Sequence, residues 1–421
     1  MPEVEPDGTR DGGPAAGTAR GWRAAAARID AAGRRRDRGI DALRALAIAG
    51  VVAGHWLVGA LVLREDGALR IGSALRELGA LAPASWFLQM LALFFLVGGY
   101  SAARSLTRAR ERGEDTGAWL RLRGTRLVRP VLAMAALTAA AVPLLAAVGV
   151  HPLSLRTWVV LLVQPLWFIL IYGVATALTP LAMAVDRRFG PAAAVAMMGV
   201  VAVVDLLRYG PAQALVPDWL ALVNVLPAWL FGYQLGVSWA SGRLGRRGAL
   251  VLLAGGAGLF ALLIGVFDYP ASMVGVPGEA RSNAHPASLL VPALAAVQCG
   301  AAILLRDRLH RALGAHPRLW AAVALANLSA MTLFCWHQTA LVAVSLFGAA
   351  LGGLPGLTDP PADLAWVLFR LAWLPAMALT LAGLVPLVHR FERPWHGLGR
   401  PARVAVGLLA AGFVGYTVWV Y

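Results

Sequence analysis

The chain has 421 residues, of which 59% are hydrophobic and only 14% charged, with a mean hydropathy of +0.68. A water-soluble fold cannot hide that much apolar surface, so the ordinary globular classes are excluded. A formal net charge of +15 would point a soluble protein toward nucleic acid, but all 37 basic residues are Arg and fall in short clusters between long apolar runs, as loops at a membrane surface do.

In chain order, residues 1–38 form a polar tail rich in Ala, Gly and Arg, with no apolar core of the length a cleavable signal peptide requires. The first apolar run is therefore expected to act as an uncleaved anchor. Within the tail, Trp22 to Arg38 is either a short Arg-rich helix on an anionic lipid surface or solvated chain. Crossing a hydrocarbon layer of ~30 Å takes ~20 mostly apolar residues. Runs of that kind are expected at 40–63, 81–103, 130–149, 158–185, 191–209, 219–239, 248–267, 287–305, 322–350, 364–388 and 404–421.

The fold expected is an all-α integral membrane bundle of about eleven transmembrane helices, ten being the alternative. It comprises the tail, a membrane domain over 39–400 and an additional C-terminal helix over 401–421. With a cytoplasmic N-terminus, 29 Arg lie on cytoplasmic segments and 6 on the opposite side, an asymmetry that sets the orientation and the location in the cell membrane. Cys299 and Cys335 sit inside apolar runs and offer no disulfide framework. The segment from Asp268 to Pro286 is the longest external loop and is placed to cover a substrate entrance. Pro165 and Pro227 fall inside spans, where they can break helices.

Two further Arg, Arg44 and Arg370, fall within or at the edges of spans, where charge is costly and serves some purpose. At 100° per residue, the eleven steps from Arg44 to His55 make three turns plus about 20°, so both side chains leave one helix face, ~16 Å apart along the axis. Asp41, three residues before Arg44, can pair with it. Gly50 and Gly54 allow another helix or a ligand to come close. Imidazole is the side chain best suited to take a proton from a hydroxyl near neutral pH. The plainer alternative is that His55 hydrogen-bonds a neighbouring helix while Arg44 snorkels to headgroups.

The Asp-x-x-Arg opening, followed by ten residues and His55, resembles the acyltransferase family 3 integral membrane proteins, which acylate sugars and other hydroxylated or amino acceptors. Further stretches resemble the same family: Leu93 to Tyr100, with two aromatic residues before a Gly-Gly pair; Arg126-Leu127-Val128-Arg129-Pro130; Leu166-Trp167-Phe168; Met331 to His337; and Glu392-Arg393-Pro394. These matches run in order over residues 38–394. Gly98 stands where many members have Ser, and Phe334 where Tyr is common.

The resemblance implies an acyl-CoA co-substrate, acetyl-CoA first, presented from the cytoplasm, with no bound cofactor and with a carbohydrate or other hydroxylated acceptor on or near the outer face. His55 is then the base, Arg44 orients the donor or stabilises developing charge, and Asp41 holds the guanidinium. Direct transfer and an acyl-histidine intermediate both remain open. The 104–129 loop carries eight Arg against three acids, and Arg126 and Arg129 on an i, i+3 spacing are the candidates for the coenzyme A phosphates. Trp167 lines the acyl or pantetheine path, while Tyr100, His337 and Glu392 are supporting candidates. No metal is expected, since His55 and His337 lack a third ligand nearby. The rival reading is a proton-coupled secondary transporter or exporter, whose relay would use the same buried groups.

Overall fold

The computed structural model describes residues 37–211, 213–279, 281–392 and 399–420. Apart from Asp37 and Arg38, the Arg-rich tail lies outside the described residues, as do Arg393 and Pro394 of the closing turn.

Asp37 opens α1 (Arg38–Val58), its carboxylate accepting the Gly39 and Ile40 amide protons at 3.1 and 3.2 Å. The first span was expected to run to residue 63, yet the helix stops at Val58. The next residues find partners instead: β1 (Gly59–Leu63) and β2 (Leu69–Ser73) form an antiparallel hairpin, with Gly59 opposite Ser73 and Leu63 opposite Leu69. Its turn carries Asp66 and Gly67, and Gly67 adopts a φ of 78° that a side chain would resist. The Leu69 amide donates to Ser154 Oγ at 2.9 Å and Thr157 Oγ1 donates to the Leu69 carbonyl at 2.8 Å, which fixes the hairpin to the bundle. Arg370, fully buried, donates to the carbonyls of Trp56 at 2.7 Å, Gly59 at 2.5 Å and Gly356 at 3.1 Å. Two of these three carbonyls belong to the end of α1 and the residue after it, so this cation seals the C-terminal dipole of that helix.

After the hairpin come two short turns of helix, α2 (Ala74–Glu77) and α3 (Ser85–Leu88), and then the long α4 (Leu91–Glu111) and α5 (Thr116–Ala147). The expected span 158–185 is three helices, α6 (Pro152–Val163), α7 (Leu166–Ala177) and α8 (Thr179–Phe189). Pro165 and Pro180 sit at the two breaks, where each removes an amide donor and disfavours the preceding turn. There follow α9 (Ala192–Tyr209), α10 (Val225–Ala240), α11 (Arg246–Gly265) and α12 (Leu290–Ala315). The expected span 322–350 divides at Ser329 into α13 (Pro317–Leu328) and α14 (Ala330–Ala350). The chain closes with α15 (Leu364–His389) and α16 (Arg400–Val420).

Ten helical segments among the described residues are long and apolar enough to cross a membrane, and Val404–Val418 within α16 is a shorter apolar stretch. The hairpin is the one departure from an otherwise all-α architecture among the described residues.

α1 lies inside the bundle against α4, α12, α13 and α14. The tightest backbone approach joins α4 to α10: a Cβ at Gly99 would collide with the Tyr233 carbonyl and one at Gly236 with the Leu96 carbonyl. At Gly50 and Gly54 the room is taken by protein, namely Met90 and Leu88 at the bend between α3 and α4. The segment between α11 and α12 packs back on the bundle. Trp86 Nε1 donates to the Ala271 carbonyl at 2.6 Å, and the Met273 amide donates to Ser85 Oγ at 2.9 Å. Buried Asp205 accepts from Tyr269 Oη at 3.0 Å and from the Leu289 amide at 2.7 Å, pinning both ends of that segment.

Candidate active site

α1 runs unbroken from Arg38 to Val58, so Arg44 and His55 stand on one helix. Arg44 and His55 are both half-buried, and between them Ile48, Val51 and Val52 face an apolar void. Leu91 and Phe94 of α4, Phe168 of α7 and Phe334 of α14 complete the lining, around a cavity of only about 10 Å³, so these walls all but close on one another. The aromatic walls hold one another edge to face, with Phe94 and Phe168 centroids 5.1 Å apart at 88°. The exposed residues of α1, Leu46 and Ala49, lie on a different flank.

At one end of the void, Arg44 Nη1 is 3.5 Å from Asp41 and its Nη2 donates to Ser101 Oγ at 2.8 Å. Asp41 is itself buried, and its carbonyl accepts from Asn327 at 2.8 Å. Arg123 of α5 comes in beside this group, its Nη2 donating to the Ser101 carbonyl at 3.4 Å and its guanidinium lying over the Trp119 ring at 4.9 Å. Arg44 and Arg123 thus meet on Ser101, one on its hydroxyl and one on its carbonyl, with Asp41 beside Arg44. Arg126 is exposed and Arg129 half-buried, and neither donates a hydrogen bond among the described residues. A cluster of cations in excess of its acids, next to hydroxyl donors, is suited to an anion.

At the other end, His55 meets α14. The His55 and His337 ring centroids are 4.9 Å apart at 52°, and the side-chain amide of Gln338 reaches His55 Nδ1 at 3.1 Å. His337 is fully buried, with Nδ1 2.7 Å from the Phe334 carbonyl. A carbonyl only accepts, so this nitrogen carries the His337 proton and Nε2 keeps a lone pair, for which no partner exists among the described residues. No group of three His, Cys, Asp or Glu able to hold a metal ion forms among the described residues.

The other expected residues are dispersed around this axis. Trp167 points away from the void, packing on Trp229 with centroids 5.2 Å apart and against His285 at 5.5 Å, while its neighbour Phe168 forms the wall. Burial on the segment between α11 and α12 pushes the His285 imidazole below its ordinary pKa. Tyr100 packs on Trp239 at 4.7 Å. The Glu392 side chain is nearly buried; it accepts from Thr332 Oγ1 at 2.6 Å and lies 3.4 Å from His389 Nδ1.

Four residues were missed by reading the sequence: Ser101, Arg123, Gln338 and Tyr172. Tyr172 follows Phe168 by one helical turn, and that spacing was the signal available for it. Its ring fills the place a side chain at Gly98 would occupy: a Cβ there would lie 2.7 Å from Tyr172 Cε2 and 2.8 Å from Oη. The absence of a hydroxyl at position 98 is thus accompanied by a phenol hydroxyl at the same point in space.

The family model for acyltransferase family 3, an acyltransferase domain, matches residues 37–389, most of the chain. The chain therefore belongs to the acyltransferase family 3 proteins: it is a multi-pass membrane acyltransferase. Neither a curated protein nor a solved structure matches it.

Proposed function

We propose that this acyltransferase moves an acyl group, acetyl in the first instance, from cytoplasmic acyl-CoA to a hydroxyl or amino group of a glycan or other acceptor at or beyond the membrane. The observation that carries the reading is the apolar, aromatic-walled seam along α1, lined by Ile48, Val51 and Val52, the residues that lie between Arg44 and His55 in the chain. About 16 Å of helix separates the two side chains, too far for both to touch one reacting carbonyl. A donor whose phosphates and thioester are separated by a long flexible arm can engage them together. The 29 to 6 distribution of Arg puts the N-terminus and the Arg44 end in the cytoplasm, where acyl-CoA is found.

In this reading Arg44, held by Asp41, grips the anionic part of the donor together with Arg123, Arg126 and Arg129. Trp167, packed on Trp229, backs the Phe168 wall, and Tyr100, His337 and Glu392 support the helices that carry the site. The acceptor hydroxyl gives its proton to His55 while its oxygen bonds to the thioester carbonyl carbon. Collapse of the tetrahedral oxyanion breaks the C–S bond, and the imidazolium returns the proton to the coenzyme A sulfur. The dry apolar walls keep water from the thioester during the transfer.

Purified protein in nanodiscs, supplied with labelled acetyl-CoA and a panel of sugar acceptors, tests this. His55→Ala is expected to lower turnover on the order of 10²–10⁴-fold, and Arg44→Ala to raise the donor KM more than it lowers kcat. Full activity of correctly inserted His55→Ala protein would overturn the assignment of the base. A wild-type protein inert toward acetyl-CoA would overturn that donor.

A further inference from the structure

Gln338 is a buried amide in the membrane interior, with 3% of its surface exposed, and only one end of it is partnered among the described residues. Burying an amide half-satisfied is costly, so a leucine would be the more stable choice here. What the amide touches is His55 Nδ1, at 3.1 Å. We infer that Gln338 is the positioning residue of the reaction: it engages Nδ1 of His55 and so leaves Nε2 as the atom that exchanges protons with the substrates. The inference rests on the reading of His55 as the base.

The proton bookkeeping is specific. With the amide nitrogen facing the ring, as the structure has it, N–H donates to the Nδ1 lone pair, and the imidazole proton sits on Nε2. In that tautomer Nε2 cannot accept a proton. With the amide turned through 180°, Oε1 accepts from Nδ1–H and the Nε2 lone pair is free. The turn conserves the hydrogen-bond count, because Oε1 has no other partner among the described residues. The two nearly isosteric ends of one amide therefore select between an idle and a basic imidazole. When Nε2 takes the acceptor proton, the amide oxygen continues to hold Nδ1–H and its dipole favours the imidazolium.

The titratable group facing His55 from the packed elements is His337 on α14, while Arg370 on α15 sits on the carbonyls of Trp56, Gly59 and Gly356, with Asp359 near it. His337 Nδ1 is committed to the Phe334 carbonyl, its Nε2 bonds nothing among the described residues, and Arg370 donates to three carbonyls, so neither engages His55 Nδ1 in this structure.

Three variants in nanodiscs test this, read by acetyl-CoA turnover against pH. Gln338→Met keeps the side-chain length without the amide; kcat is expected to fall roughly ten- to hundredfold with the acetyl-CoA KM unchanged. Gln338→Glu presents only acceptors, so it fixes the basic tautomer and keeps turnover. Its carboxylate also favours the imidazolium, so the acid limb of the pH profile moves to higher pH by about 1–3 units. A Gln338→Met protein with wild-type kcat, or a Gln338→Glu protein with an unmoved acid limb, overturns the inference. Should Gln338→Met fail to insert, the Gln338→Glu profile decides alone. His55→Ala separates the two claims: if it is active, the base assignment falls; if it is inactive while Gln338→Met is unimpaired, only the role of Gln338 falls.

Discussion

Replacing Arg370 with Leu should loosen the end of α1 and, through it, His55, the proposed base. The guanidinium spends three donors on the carbonyls of Trp56, Gly59 and Gly356, and Trp56 follows His55 directly. Three charge-assisted bonds at ~1.5–3 kcal/mol each amount to about 4.5–9 kcal/mol gross. Removing the cation also removes its own burial penalty of several kcal/mol, which leaves a net loss of roughly 2–4 kcal/mol. Thermal unfolding in nanodiscs should then shift down by about 2–5 °C, and acetyl-CoA turnover should fall further than the folded fraction does. Arg370→Lys keeps the charge but not the planar fork that spans three acceptors, so it should recover only part of the loss. An Arg370→Leu protein with wild-type melting and turnover would refute the claim that this cation holds the helix end in place.

The N-terminal end of α1 gives a pH-dependent counterpart. Burial pushes the Asp37 carboxyl up, but the Arg306 hydrogen bond, the Ile40 amide and the charges of Arg306 and His310 more than offset that and hold it below the usual carboxylate range. A depressed folded pKa means the stabilisation is present above the unfolded value of ~3.9 and is lost as pH falls through the lower folded value. Asp37→Ala should therefore cost about 1–2 kcal/mol near neutral pH, from the lost cap and ion pair, and the difference in Tm from wild type should vanish in acid; a difference that grows as pH falls would contradict it. In the cation cluster, Arg123→Ala should raise the acetyl-CoA KM roughly ten- to hundredfold, while Arg129→Ala, which lacks the link to Ser101, should change it less; equal effects would remove the distinction.

The spans were legible because ~20 apolar residues in a row have few other destinations. The hairpin was not, since Gly59 to Leu63 continues the apolar run of α1 without interruption. Only Asp66 and Gly67 announced a turn, and what ended the helix was pairing with β2 and capture by Arg370, both tertiary events. The Arg44 to His55 stripe could be computed from helical geometry alone, because both residues share one element. Ser101 and Gln338 could not: they stand 57 and 283 residues from the groups they touch, and a lone Ser or Gln in an apolar run carries no period. Arg126 and Arg129 were chosen over Arg123 for their nearness to the membrane edge, whereas the turn from Asp115 into α5 carries Arg123 to Ser101.

A protein embedded in an energised membrane must not short-circuit it. The polar groups at the two ends of α1 are separated by Ile48, Val51, Val52, Leu91, Phe94, Phe168 and Phe334, side chains that offer a file of water nothing to bond. Such a constriction dewets and breaks any wire along which hydronium could hop. A bundle plugged in this way is expected to carry no protons along α1, and proteoliposomes bearing it should hold a pH gradient as long as protein-free ones do.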